Sequence, residues 1–325
     1  MHQKAFSTLL ALLSLALVAS GCSDAELVLD DPLAEAQYAI DIHGMREAWE
    51  TSTGDGVTVA IIDTGIDLDH PDLKDHIVRG YDFVHDDRKP DDENGHGTHV
   101  AGSAAAIGGN GIGVIGMAPQ AKLMPLKVLG GDGSGNSEDI AEAIRWATDN
   151  GADVINLSLG GTSDLLGRIY NKLDPSNEAI QEAVEAGVVV VAAAGNDSTF
   201  LTAYNAETPV VIVNASNELG RHALFSNFGD PRAISASGAR ILSTAPTYPT
   251  ETWPEGSETG YEYLDGTSMA SPHVAGIAAL LVAEGATVQE IWAAFADTAV
   301  MPEDAILLGA GVIRADLALG EVANG

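Results

Sequence analysis

Cysteine is nearly absent: Cys22 is the single one in 325 residues. No disulfide can close within the chain, so the fold rests on its core. Basic residues are scarce, with 15 Lys and Arg against 47 Asp and Glu, for a formal net charge of −32. A field of that sign repels nucleic acid and anionic lipid, keeps a protein in solution and favours divalent cations. The simplest account is a surface tuned for solubility or a salty medium rather than a dedicated acidic binding face. Aromatic residues make up only 5%. Against these shortages stand 36 glycines and an apolar content of 46%. That mixture suits close packing of helices on a sheet better than an all-β sandwich. No internal repeat, proline-rich linker or second domain boundary interrupts the chain.

The position of the lone cysteine is informative. The first 21 residues read MHQKAFSTLLALLSLALVASG, with Lys4 as a short positive region and Leu9 to Val18 as an apolar stretch of signal-peptide length. The stretch Ala19-Ser20-Gly21-Cys22 resembles a bacterial lipobox, whose cysteine becomes the lipidated first residue of the mature protein. Residues 1–21 are therefore expected to be a lipoprotein signal peptide. Residues 22–41 form a tether and N-terminal arm, and residues 42–325 the functional domain. Acyl chains on Cys22 would tether the protein to a membrane, each buried methylene contributing about 0.8 kcal/mol. The expected location is the cell envelope, with Ser23 pointing to the outer membrane, or the extracellular space.

Downstream, strand-like and helix-like runs alternate. VTVAIID ending at Asp63, the run from Ala121 to Leu129, DVINLSLG from Asp153, VVVVAAAGN from Val188 and PVVIVNAS from Pro209 read as buried strands. Between and after them, Gly97 to Ile107, Ser137 to Gly151, Asn177 to Gly187, Thr267 to Glu284 and Thr287 to Ala299 read as helices. This order predicts an α/β fold: a doubly wound, mostly parallel β-sheet with helices on both faces, in three αβα layers. In such sheets reactive groups collect at the carboxyl ends of strands and at helix starts. Asp63 ends a strand, His96 lies where a turn enters a helix, and Ser268 opens a long apolar helix. A carboxylate, an imidazole and a hydroxyl so placed are the inventory of nucleophilic acyl transfer.

Three stretches carry these residues: AIIDTGID with Asp63, NGHGTHVAG with His96 and GTSMASPHVAG with Ser268. With VVAAAGN, ending at Asn196, and NLSLGG, they resemble the subtilisin-like serine proteases, the subtilases, over about Asp31 to Leu319. The resemblance implies a serine endopeptidase that acts on protein or peptide substrates through an acyl-enzyme intermediate. Ser268 would be the nucleophile, His96 the general base and Asp63 the residue that orients the imidazole. The side-chain amide of Asn196 and the backbone N–H of Ser268 would form the oxyanion hole. Ser158, Leu159 and Gly160 would offer a strand edge to an extended peptide. Ala193, Ala194 and Gly195 would line the primary pocket, with Ala203 and Tyr204 near its base.

Calcium, which prefers several oxygen ligands, is the ion the resemblance implies. Asp72, Asn110 and the carbonyls of Ile107, Ile112 and Val114 are the candidate ligands. The acidic run DDRKPDDEN reads as a solvated loop. His99 and His273 are expected to pack structurally, and His70 and Asp67 to be turn and surface groups. Only 34 residues separate Cys22 from Val57, too few for an inhibitory prodomain plus the arm, so folding without an attached prodomain is expected. A monomer that binds no nucleic acid is expected. A catalytically silent peptide-binding relative is the alternative function, and an adhesive lipoprotein has no support beyond the lipobox.

Overall fold

The computed structural model describes residues 29–159, 174–200, 204, 207–255, 260–303 and 306–324. In its interior lies β1 (Thr58–Asp63). Successive apolar residues in a strand leave neither face suited to water, and Val59, Ala60, Ile61 and Ile62 are all fully buried. Around β1 assemble β2 (Tyr81–Asp82), β3 (Lys122–Lys127), β4 (Val154–Leu157), β5 (Val189–Ala193), β6 (Val211–Ser216) and β7 (Ile234–Ser237). The sheet order is β2-β3-β1-β4-β5-β6-β7. Every neighbouring pair is parallel. The chain leaves β1 toward β3 on one side and returns to β4 on the other, so a topological switch point lies between β1 and β4. Crevices outside the carboxyl ends of strands at such points are where ligands bind in open α/β sheets.

Two short helices come first: α1 (Ala39–Ile42), at the end of the N-terminal arm, and α2 (Met45–Ala48), just beyond it. They are followed by α3 (His96–Ala105), α4 (Ser137–Asp149) and α5 (Pro175–Glu185). The last three are α6 (Thr267–Ala283), α7 (Val288–Thr298) and α8 (Ala315–Asn324). α3 packs on α6 and α4 on α5. With the right-handed crossovers that parallel strands favour, these two pairs fall on opposite faces of the sheet, in the expected three layers. The arm is bolted to the body: Gln37 Nε2 donates to the Ile115 carbonyl at 2.9 Å and Gln37 Oε1 accepts from Ile115 N–H at 2.9 Å. Among the described residues, no helix is long and apolar enough to cross a membrane.

Helix starts are built in two ways. Asn136 caps α4, Asp174 caps α5 and Thr287 with Glu290 forms a capping box on α7. α3 and α6 instead begin after glycines that cap nothing with a side chain. Their first N–H groups are met instead by Asn94, Asp92 and Thr64 for α3 and by Asn196 for α6, and these two starts face the switch point. Several elements were not expected from the sequence: β2, β7, the short α1 and α2, α8, and the antiparallel hairpin of β8 (Ile241–Thr244) and β9 (Tyr261–Leu264). The hairpin is the one that matters for the site. Its short strands contain buried Ser243 and Thr244, which mask the alternation that marks a strand.

Candidate active site

Asp63 and Ser158 are the first residues past the paired ends of β1 and β4, because Ile62 stands opposite Leu157. Neighbouring strands run about 4.8 Å apart, so groups held by these two residues share one crevice. On the β1 side, Asp63 Oδ1 accepts the N–H of Thr64 at 2.8 Å and faces His96 Nδ1 at 2.7 Å. The carboxylate is fully buried, while the His96 side chain keeps 28% of its surface exposed. A carboxylate on Nδ1 fixes the tautomer that leaves Nε2 as the proton acceptor. Burial acts to lower the His96 pKa, but the charge and hydrogen bond of Asp63, with the charge of Asp92, raise it above the ordinary value.

The turn ahead of His96 is organised by buried Asp92. Its Oδ1 accepts from Gly95 N, Asn94 N and Thr64 Oγ1, and its Oδ2 from the N–H and hydroxyl of Thr98. Thr64 Oγ1 in turn accepts from Gly97 N at 2.9 Å. Gly97 must lack a side chain, since a Cβ there would lie 2.1 Å from the Gly65 carbonyl oxygen. α3 is thereby pressed against the end of β1. Lys127, fully buried at the end of β3, donates to the Thr64 and Leu129 carbonyls at 2.8 Å each and pairs with Glu93 at 3.3 Å.

On the β4 side, Ser268 Oγ donates to the Ser158 carbonyl at 3.3 Å, a long bond. Ser158 Oγ donates back to the Ser268 carbonyl at 2.8 Å. That carbonyl is free for it because Pro272, four residues on in α6, has no N–H to offer. Behind Ser158 stands a buried relay: Asn156 Nδ2 donates to Ser158 Oγ, and Ser271 Oγ to Asn156 Oδ1. Among the described residues the Ser268 hydroxyl bonds to this strand end and not to His96.

Asn196 supplies the missing cap of α6. Its Oδ1 accepts the Thr267 N–H at 2.8 Å and the Thr267 hydroxyl at 3.0 Å. With the oxygen so held, the amide Nδ2 is turned the other way. A Cβ built on Gly266 would lie 3.5 Å from both Asn196 Nδ2 and Ser268 N. Two N–H donors thus converge on one small volume at a helix N-terminus, which favours negative charge. Ala193 and Ala194 are buried and Gly195 half-buried behind Asn196; Leu159 is half-buried. Gly160, Ala203 and Cys22 lie outside the described residues.

The candidate calcium loop closes on Asp72, which is fully buried. Its carboxylate accepts from Asn110 Nδ2 at 2.8 Å and Val114 N at 3.0 Å. Burial pushes its pKa up to about 6. Asp31, read from sequence only as part of the arm, belongs here too, accepting from Gly109 N at 2.8 Å and Asn110 N at 3.2 Å. Its own pKa is raised by burial, and its charge raises that of Asp72. Among the described residues no cluster of three or more His, Cys, Asp or Glu is suited to a metal. A mixed set of carboxylate, amide and carbonyl oxygens with excess negative charge still fits a hard cation such as calcium.

Four other expectations concern histidines and their neighbours. His99 hydrogen-bonds the carbonyls of Ile241 and Glu262, and His273 that of Ser237, all within the core. His70 and Asp67 are not surface groups: both are fully buried. His70 Nε2 meets the Gly260 carbonyl at 2.9 Å, and Asp67 Oδ2 accepts the N–H and hydroxyl of Thr247. The loop after β8 covers them, which no local pattern reveals.

Comparison with known proteins agrees with this geometry. Residues 54–312 match the model of the Subtilase family. Thermitase from Thermoactinomyces vulgaris is 41% identical over 272 residues, covering 83% of this chain and 91% of that protein. Thermophilic serine proteinase from a Bacillus species is 43% identical over 257 residues, 78% of this chain and 59% of that protein. A solved structure described as proteases from Pseudoalteromonas arctica superposes with a TM-score of 0.78 at 33% identity, covering 90% of this chain and 99% of that one. The chain belongs to the subtilase family. Its class is that of serine-type endopeptidases, hydrolases of the peptide bond.

Proposed function

We propose that this protein is an exported, lipid-anchored serine endopeptidase in which Asp63, His96 and Ser268 form the catalytic triad. The observation that carries the reading is the 2.7 Å contact of His96 Nδ1 with buried Asp63, one strand spacing from the carbonyl that holds the Ser268 hydroxyl. A serine hydroxyl is a weak nucleophile until a base takes its proton. Rotation of Ser268 about χ1 releases the long bond to Ser158 and swings the oxygen to His96 Nε2. Such contacts commonly tighten only when substrate is present.

A peptide entering as an extended strand pairs with Ser158, Leu159 and Gly160 and sets its side chain against Ala193, Ala194 and Gly195. His96 takes the Ser268 proton as Oγ bonds to the carbonyl carbon. The carbonyl oxygen, now negative, lies between Asn196 Nδ2 and Ser268 N. His96 returns the proton to the departing amine, leaving an acyl-enzyme. Water then attacks the ester, His96 again moving the proton, and Ser268 is released. Asp63 stays ionised throughout and stabilises the imidazolium.

Asp72, Asn110 and the carbonyls of Ile107, Ile112 and Val114, with Asp31 beside them, would hold calcium. When bound, the ion would supply the positive charge that two buried carboxylates lack and tie the arm to the loop. Residues 1–21 are the signal peptide, Cys22 the lipidated residue, 22–41 the tether and arm and 42–325 the peptidase domain. The enzyme is monomeric and resides at the cell envelope, with the extracellular space as the alternative. Labelling with an active-serine phosphonate tests the catalytic reading. Wild type should be modified and Ser268→Ala should not; hydrolysis of peptides by Ser268→Ala would reject the triad, and an unlabelled, inactive wild type would favour a peptide-binding relative.

A further inference from the structure

The turn that presents His96 is gripped from outside by one loop. Within the turn the N–H groups are already taken: Asp92 receives those of Asn94, Gly95 and Thr98, and Asn94 Oδ1 that of His96. Its carbonyls point the other way, toward the loop that follows β8. Tyr248 Oη donates to the Asp92 carbonyl at 2.9 Å, Glu251 N to that of Glu93 at 3.1 Å, and Thr250 Oγ1 to that of Asn94 at 2.7 Å. The ring of Trp253 then lies on Gly95, so close that a Cβ there would fall 2.0 Å from Cζ3. Gly95 itself has φ 110°, open to glycine alone.

Four successive residues are thus met by four different groups of one segment. The segment is also pinned at its start and folded tightly at its end. Thr247 N and Oγ1 donate to Asp67 Oδ2. The far end closes on itself, Trp253 N donating to Thr250 Oγ1 and Thr250 N to the Trp253 carbonyl. The hairpin that carries this loop continues through β9 directly into Gly266 and Ser268. A turn with its donors held from inside and its acceptors held from outside has no free direction in which to rock.

We propose that residues 247–253 form a strap that positions His96 for peptide-bond hydrolysis, with Tyr248, Thr250 and Trp253 as positioning residues. The inference rests on the assignment of His96 as the base. None of the three touches the reacting atoms; each acts through the turn. Misplacement of a catalytic group by about 1 Å lowers turnover on the order of 100-fold, so loosening the strap is read in kcat.

Trp253→Ala removes the ring from Gly95, Thr250→Val removes one hydroxyl at constant shape, and Trp253→Phe restores an aromatic ring. Each full-length variant is titrated with an active-serine phosphonate, and kcat and KM on a peptide substrate are expressed per titrated site. The strap requires Trp253→Ala and Thr250→Val to lose about 10- to 100-fold in kcat with KM within about twofold, and Trp253→Phe to recover most of it. Wild-type kcat per titrated site in Trp253→Ala and Thr250→Val overturns it, as does a loss confined to the number of titratable sites. Ser268→Ala separates the two readings. If that variant retains turnover, the catalytic assignment fails and the strap with it. If it is inactive while the strap variants match wild type, the strap alone fails.

Discussion

Ser158 and Ser268 hold each other by two hydrogen bonds, each hydroxyl donating to the other's backbone carbonyl. The pair joins the end of β4 to the first turn of α6, and it exists because Pro272 leaves the Ser268 carbonyl without a helical donor. Ser158→Ala removes that donor and should destabilise the protein by about 1–3 kcal/mol. Adding Pro272→Ala supplies an N–H in its place and should recover part of the loss. Thermal unfolding of the two single variants and the double variant checks this. Strict additivity would show that the carbonyl does not connect the two positions.

Asn196 has two separable duties: its oxygen caps α6 and its nitrogen faces the small volume beside Gly266. Asn196→Asp keeps an acceptor for Thr267 and loses the donor. Its melting temperature should stay near wild type while kcat falls by about 100- to 1000-fold, the loss typical of removing one oxyanion donor from an enzyme of this class. Asn196→Ala should lose both. Unchanged kcat in the aspartate variant would remove Asn196 from the oxyanion site.

In the proposed mechanism turnover requires His96 neutral at Nε2. Its pKa is raised by Asp63 and Asp92 against the opposing effect of burial. The acidic limb of kcat/KM should therefore fall at a pH above the usual histidine value of about 6.5. Asp92→Asn, which removes one of the raising charges, should move that limb to lower pH. A limb that stays in place or moves upward would contradict the electrostatic assignment.

Three core histidines predict acid lability. Burial lowers the pKa of His43 to about 4 and those of His99 and His273 to about 3. Between these values and about 6.5, the unfolded chain binds protons that the folded one refuses. Stability is thus unaffected by these groups above about pH 6.5 and declines as pH falls toward about 4, at up to about 4 kcal/mol per pH unit if all three act together. Denaturant unfolding at pH 7 and pH 5 measures the slope. His43→Gln should flatten it, and an equal slope in that variant would exclude His43.

Chelation should act on stability rather than chemistry. EDTA is expected to lower the melting temperature of the wild type by several degrees and to leave the Asp72→Asn variant, already less stable, nearly unmoved. Melting curves with and without added calcium decide the matter. Equal sensitivity of both proteins would place the ion elsewhere.

Five of the seven parallel strands and the principal helices were legible because each is a run of one period; β2 and β7 are too short or too rich in serine to show one. Asp63 stood out because it ends such a run, His96 and Ser268 because each opens one inside a distinctive short stretch. What escaped notice is long-range. Asn156 and Ser271 form a relay across 115 positions, and Asp31 meets a loop 78 positions away; no local pattern marks such partners. Asp67 and His70 look like turn residues, and only a loop some 180 positions later turns them into buried acceptors and donors. Asp92 sits in an acidic run expected to be solvated, yet five hydrogen bonds make it the keystone of the turn before His96.

The empty space at Gly266 has a consequence for engineering. With φ of 158°, that position resists every side chain, and any side chain placed there would project into the gap shared by Asn196 and Ser268. Vacancy and backbone shape are guarded by one codon, so a mutagenesis library aimed at new substrates should freeze residue 266.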